Sequence, residues 1–284
     1  MSGIRVVTDS ACDLPQELAD EMGIEIVPLS IRFGEETMVD RVDLTVEQFW
    51  SRVASSPVLP ETAAPAPGAF EEAFRRAAGE GADGVVCVCL SSALSATFQS
   101  AQLGARNVED TIPVRVVDTR TVSIGQGLMA VAAARLAKQG KGLDDCAGAV
   151  EDLVPRTRTY AALDTLENLK KGGRIGAAQA MLGSVLSIKP IIEITGGKVE
   201  AESKQRTRSK SLRYLVDKVR QFPRVEDLAV VHGSARDIDD LLDMLGAVYP
   251  RDEILVAEVG AVIGTHGGPG VVGVTFQVPR DSRG

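Results

Sequence analysis

The chain has 284 residues, 44% hydrophobic and 25% charged, with 39 acidic against 31 basic side chains for a formal net charge of −8. That composition suits a globular protein with a sizeable core, and the acidic balance excludes a general nucleic-acid binder, which needs an excess of Lys and Arg on one face. No run approaches the ~18 uncharged apolar residues of a membrane-spanning helix, and the N-terminus enters a strand pattern directly instead of a signal-peptide core, which reads as cytoplasmic.

In chain order, the first half alternates β-branched runs with amphipathic patterns, the mark of βαβ units and a parallel sheet. Strands are expected at Ile4–Ser10, Ile24–Phe33, Gly84–Leu90 and Val114–Thr119. Helices are expected near Pro15–Met22, Thr45–Ser55, Ala69–Glu80, Thr97–Arg106 and Gly125–Gly140, each opening soon after a Ser, Thr, Asp, Pro or Gly. The Pro/Ala-rich stretch Ser55–Gly68 cannot continue a helix and reads as an extended loop. A second unit is expected to begin near Arg156–Tyr160, so the fold class is α/β with two α/β domains, 1–157 and 158–284, the first holding a mainly parallel sheet. In the second, glycine pairs at Gly172-Gly173 and Gly196-Gly197 bracket a helix, a buried strand and a hairpin turn. Strand, helix and strand follow from Leu228 to Glu258, and a final strand spans Val271–Gln277.

Cysteine and histidine argue mainly by exclusion. Cys87 and Cys89 alternate on one strand face far from Cys12 and Cys146, so no disulfide is expected. With His232 and His266 as the only histidines and no Cys-x-x-Cys or His-Glu-x-x-His, no metal site is expected.

Three hydroxyl-rich loops follow strand candidates: Thr8–Pro15, Ser91–Ala101 and Asp118–Gly127. In open α/β sheets, loops at the carboxyl ends of strands converge on one crevice, although Ser, Thr and Asp there also serve as ordinary helix caps. The glycine-rich loop expected at "GAVIGTHGGPG" carries His266. A serine hydrolase would draw on Ser92 or Ser95, His266 and Asp118, but "SSALS" lacks the Gly-x-Ser-x-Gly elbow. Nucleotide fingerprints are missing too, and Pro269 removes an N–H that a phosphate cradle would use. Basic residues gather at Lys170, Lys171 and Arg174, and again from Lys204 through Arg206 to Arg213; on composition alone both read as solvated faces.

Taken together, "TDSACDLP", "SSALSATFQSA", "VVDTRTVSIGQG", "LKKGGRIG", "SIKPII", "KQRT" and "GTHGGPG" resemble the DegV family, in this order from about Gly3 to Gln277. The resemblance implies a two-domain protein that holds a long-chain fatty acid between its domains, uses no cofactor and performs no chemistry itself. It implies that the acyl carboxylate is presented to a separate ATP-dependent fatty acid kinase, the acyl-phosphate feeding phospholipid synthesis, and it leaves room for transient membrane contact. Carried onto this chain, the carboxylate contacts fall on Thr62, on Ser92 or Ser95, and on His266, with Arg206 nearby. Arg174 and Lys171 fall at the face shown to the kinase or at the tunnel mouth. This sequence departs from the family at Ala63, Ala64 and Ala66, where polar residues are usual, and at Ala96, where Gly is usual. The aliphatic stretches Ala178–Ile192 and Gly127–Ala137 are candidates for the tail's lining, with plain core packing the competing reading.

Overall fold

A computed structural model describes residues 3–182 and 188–280 of the protein. Residues 183–187, part of one aliphatic stretch named above, lie outside the described residues.

The first sheet has four parallel strands in the order β2-β1-β6-β7: β1 Ile4–Asp9, β2 Ile24–Val27, β6 Gly84–Cys89 and β7 Val114–Asp118. Helix α1 (Gln16–Met22) joins β1 to β2, and α4 (Thr97–Arg106) joins β6 to β7. On one face, α4 and α3 (Pro67–Gly79) bury Phe70, Phe74 and Ala101 against Val7, Val85 and Cys87. On the other, α5 (Ile124–Lys138) and α6 (Leu143–Leu153) cover Val6, Val86 and Val88. The six residues of β6 are all buried, as a central strand covered on both faces demands.

A three-stranded antiparallel sheet, β4-β3-β5, sits apart from it. Its strands are β3 Ser30–Phe33, β4 Glu36–Val39 and β5 Glu61–Ala63, with Ile31 opposite Thr62. The stretch expected as one strand, Ile24–Phe33, is therefore two strands in two sheets, broken at Pro28, which has no N–H for a ladder. The expected extended loop Ser55–Gly68 contributes β5, an edge strand of the kind prolines on either side permit. Helix α2 (Val46–Ser55) begins at a capping box in which Thr45 and Gln48 satisfy each other's backbone N–H.

The second large sheet runs β10-β9-β8-β13-β11-β12. Its strands are β8 Thr157–Ala162, β9 Lys189–Thr195, β10 Lys198–Gln205, β11 Glu226–His232, β12 Leu255–Glu258 and β13 Val272–Gln277. Only β11 and β12 are parallel; the rest pair antiparallel. Gly196 and Gly197, at φ 58° and 83°, make the two-residue turn between β9 and β10 that demands positive φ at both positions. Where a helix is expected after Gly172-Gly173, the described residues form a 3-10 turn over Gly176–Met181, and the short α7 (Glu167–Lys171) lies ahead of that glycine pair, ending at Gly172. Helices α8 (Arg208–Arg220) and α9 (Ile238–Leu245) cover one face of this sheet, burying Leu212, Leu215, Val216 and Leu241.

The other face of the second sheet shares a core with the first half: Ile192, Ile194, Ala229 and Val231 belong to one cluster with Val6, Val88 and Met129. Helix α5 lies in that shared layer, touching β1 and β6 of one sheet and β8, β11 and β13 of the other. Its sequence is apolar nearly all round, as a helix packed on both sides must be. The stretch Gly127–Ala137 thus packs as core, and none of its residues lines the cavity described next.

Candidate functional site

Between the second sheet and the loops of the first lies a cavity with about 870 Å³ of empty space, including its open mouth. Its floor is one lateral row of the second sheet: Ile192, Ala161, Gly273 and Val231 stand opposite one another on β9, β8, β13 and β11, and all four line the space. The two small central residues make a trough between the branched side chains at either side. Leu29, Leu90, Leu94, Val259 and Val262 close it from above.

Thr62, His266 and Arg174 border both this aliphatic cavity and an adjoining polar vestibule lined by Glu61, Asn168 and Lys171. Thr62 comes from edge strand β5, and His266 from the last turn of α10 (Ala261–Gly267). The expected glycine-rich loop around His266 is therefore a helix. Its Gly264 is tolerated because Phe49 and Trp50 of α2 pack directly against it, where a Cβ would lie 2.5 Å from Phe49 Cε1. Tertiary packing here outweighs glycine's weak helix propensity.

Thr62 Oγ1 and His266 Nε2 are 3.1 Å apart. His266 Nδ1 is buried without a hydrogen-bond partner among the described residues. An orphaned buried N–H is costlier than a bare lone pair, so the proton belongs on Nε2, which donates to Thr62 and leaves the threonine O–H free to donate onward. Burial first, and the charge of Arg174 second, pull the imidazole pKa down to about 4. At neutral pH the ring is uncharged. The positive charge at the mouth belongs to Arg174, whose Nε donates to the Leu94 carbonyl at 3.1 Å and Nη1 to the Gly172 carbonyl at 2.6 Å. No carboxylate among the described residues pairs with it.

The two candidate serines separate. Ser95 lines the cavity, its Oγ 2.9 Å from Thr97 Oγ1. Ser92 does not line it: its Oγ donates to Asp118 at 2.5 Å and its N–H to the same carboxylate at 3.1 Å. Arg206, expected near the carboxylate, is exposed beyond the end of β10 and lines neither space, whereas Arg174 borders both. Lys171 is exposed at the vestibule. No hydrogen bond among the described residues links His266 to Ser92 or Ser95, so the triad a serine hydrolase needs is not assembled.

The three hydroxyl-rich loops do converge. Asp9 Oδ2 accepts from Leu90 N–H at 2.9 Å, and Ser91 N–H donates to the Thr121 carbonyl at 2.9 Å. Asp13 accepts from Ser123 Oγ at 2.5 Å and from Gly260 N–H at 2.9 Å, tying the loops after β1 and β7 to the start of α10. Burial pushes the Asp9 carboxyl up to about 6 and the Asp13 carboxyl up to about 7, against the pull of those donors. Sequence reasoning singled out these loops but not Asp13 or Ser123 within them. Among the described residues no group of acidic, His or Cys side chains is placed to hold a metal ion, and no helix is long and apolar enough to cross a membrane.

Residues 3–278 match the family described as "Uncharacterised protein, DegV family". A DegV domain-containing protein of Streptomyces coelicolor is 39% identical over 281 residues, 96% of this chain and 98% of that one. Among solved structures, a Thermus thermophilus DegV-family protein described for its fatty acid binding superposes with a TM-score of 0.89 at 34% identity, covering 98% of this chain and 100% of that chain. Bacillus subtilis DegV, described as a fatty acid binding protein, gives 0.86 at 31% identity, with 98% and 100% covered. A match along nearly the whole length, at this identity and with the same backbone, leaves one conclusion: the chain belongs to the DegV family.

Proposed function

We propose that this protein binds a long-chain fatty acid, with the tail in the aliphatic cavity and the carboxylate at Thr62, Ser95, His266 and Arg174. The observation that carries the reading is an aliphatic space whose mouth holds a cation without a carboxylate partner among the described residues, beside a threonine with a hydroxyl proton to give. About 15 methylenes at about 0.8 kcal/mol each offer on the order of 12 kcal/mol of gross burial, before the costs of association. The carboxylate is the difficult end, because burying it without partners costs several kcal/mol. A neutral imidazole suits this chemistry: it orients Thr62 without drawing a structural anion into the site, and Arg174 matches the charge.

The family resemblance extends the proposal. The ligand lies between domains 1–157 and 158–284, and the bound acid is presented in the cytoplasm to an ATP-dependent fatty acid kinase whose acyl-phosphate enters phospholipid synthesis. Lys171 and Arg174, which border the vestibule, are the basic residues offered to that kinase. The protein contributes no catalytic residue in this scheme.

Protein purified from a bacterial host, denatured and extracted, is expected to release about one equivalent of a C16 or C18 acid by mass spectrometry. Thr62→Ala and His266→Ala are each expected to weaken palmitate binding by about tenfold, the usual cost of losing a hydrogen bond to a charged group. An empty protein that also refuses added palmitate would sink the proposal.

A further inference from the structure

We infer that Gly172 is the positioning residue of the head-group site, seating His266 by the side chain it lacks and holding Arg174 by its carbonyl. This rests on the fatty acid reading above and adds a residue to it.

The two glycines of "KKGGRI" do different things. Gly173 has a φ of 69° and open space where a Cβ would stand, so it is a glycine for backbone reasons. Gly172 has φ −74° and ψ −5°, a conformation any residue adopts, so its backbone does not demand glycine. Space does. A Cβ at Gly172 would lie 2.8 Å from His266 Cε1 and closer still to Nδ1, with the Asn168 carbonyl 3.1 Å away on the other side. The imidazole edge therefore occupies the space beside the Gly172 Cα where a side chain would stand, with Nδ1 buried there without a partner among the described residues and Nε2 facing Thr62.

Gly172 is fixed on its other sides as well. Its N–H donates to the Asn168 carbonyl at 2.9 Å, and Asn168 Nδ2 donates to the Thr265 carbonyl at 3.0 Å, so α7 and α10 are tied one residue away from His266. Its carbonyl accepts Arg174 Nη1 at 2.6 Å. One residue, through the two peptide units that flank it, thus sets the relative placement of the neutral donor pair and the cation at the mouth, a separation a carboxylate needs held to a fraction of an ångström.

The test combines Gly172→Ala, His266→Ala and the double variant, read by histidine NMR on ligand-free protein and by palmitate titration. In Gly172→Ala, the His266 ring nitrogens are expected to shift or mix tautomers while those of His232 stay as they were, and palmitate binding to weaken by about tenfold. In the His266→Ala background the same glycine substitution is expected to change palmitate affinity less than about twofold, because no ring is left to displace. An unchanged His266 spectrum, or an equal loss in both backgrounds, overturns the inference. If Gly172→Ala alone does not fold, folding recovered in the double variant supports the steric argument and its absence overturns it. If His266→Ala binds palmitate like the parent, the head-group reading fails instead, and the ligand-free spectra still decide the role of Gly172.

Discussion

Asp13 shows how a residue remote from the ligand can govern the site's pH behaviour. It is 2% exposed, sits at φ 49°, and clasps both Ser123 and the start of α10. Its carboxyl is raised from an ordinary 3.8 to about 7, so between those values the folded chain holds a proton that the unfolded chain releases. Its contribution is full below about 3.8 and is lost as pH rises through about 7. His266 works the other way: its pKa falls from 6.5 to about 4, so the unfolded state binds the extra proton in that window and stability falls with acidification. Asp13→Asn keeps a residue that tolerates positive φ but removes the titration. Its deficit in melting temperature relative to the parent is expected to be largest at about pH 4 and below and to shrink steadily toward pH 8; a deficit growing with pH would mean that Asp13 is ionised when folded.

At the scale of elements, the site depends on how α10 is seated. Gly264 lets α2 approach, and Trp50 Nε1 donates to the Val259 carbonyl at 3.0 Å just ahead of α10. Gly264→Ala places a methyl against Phe49 and Trp50, an overpacking worth roughly 1–3 kcal/mol. It is expected to lower the melting temperature equally in the parent and in the His266→Ala background, whereas any effect of Gly172→Ala is expected to vanish once the ring is removed; thermal melts beside titrations separate the two. The alternation of strands and helices in the first half was legible because period-2 and period-3.6 patterns there are unbroken, and α2 and α4 fell where their boundaries suggested. The helix carrying His266 was not, because five of its seven residues are glycine or β-branched and Gly-Pro-Gly follows, and the packing of Phe49 and Trp50 against Gly264 is not written in the local sequence. For the site, the basic runs did not show which cation borders the cavity. Proximity in a basic run says nothing about which cation a turn folds inward, and it is the Gly172 carbonyl that turns Arg174 toward the mouth.

For the whole molecule, the shared layer around α5 couples the two large sheets. Ile192 and Val231 of one sheet and Val6 and Val88 of the other lie in a single core cluster, so neither sheet keeps its apolar face covered if the other melts. Thermal unfolding is expected to be one transition by both calorimetry and circular dichroism. Fatty acid at a hundred times its Kd is expected to raise stability by about 2.7 kcal/mol through linkage. Two resolved transitions, only one shifted by ligand, would show the sheets to be energetically independent.

A protein with a greasy interior slot and a six-stranded sheet must also avoid polymerising through that sheet's free edges. Strand β10 forms one edge, and its register slips between Ala201 and Ser203 while Lys198, Glu200 and Lys204 punctuate its length. The opposite edge, β12, is only four residues long and ends in Glu258. A kinked, charged border and a short one deny a second molecule the straight run of backbone groups on which cross-molecular sheets and fibrils grow.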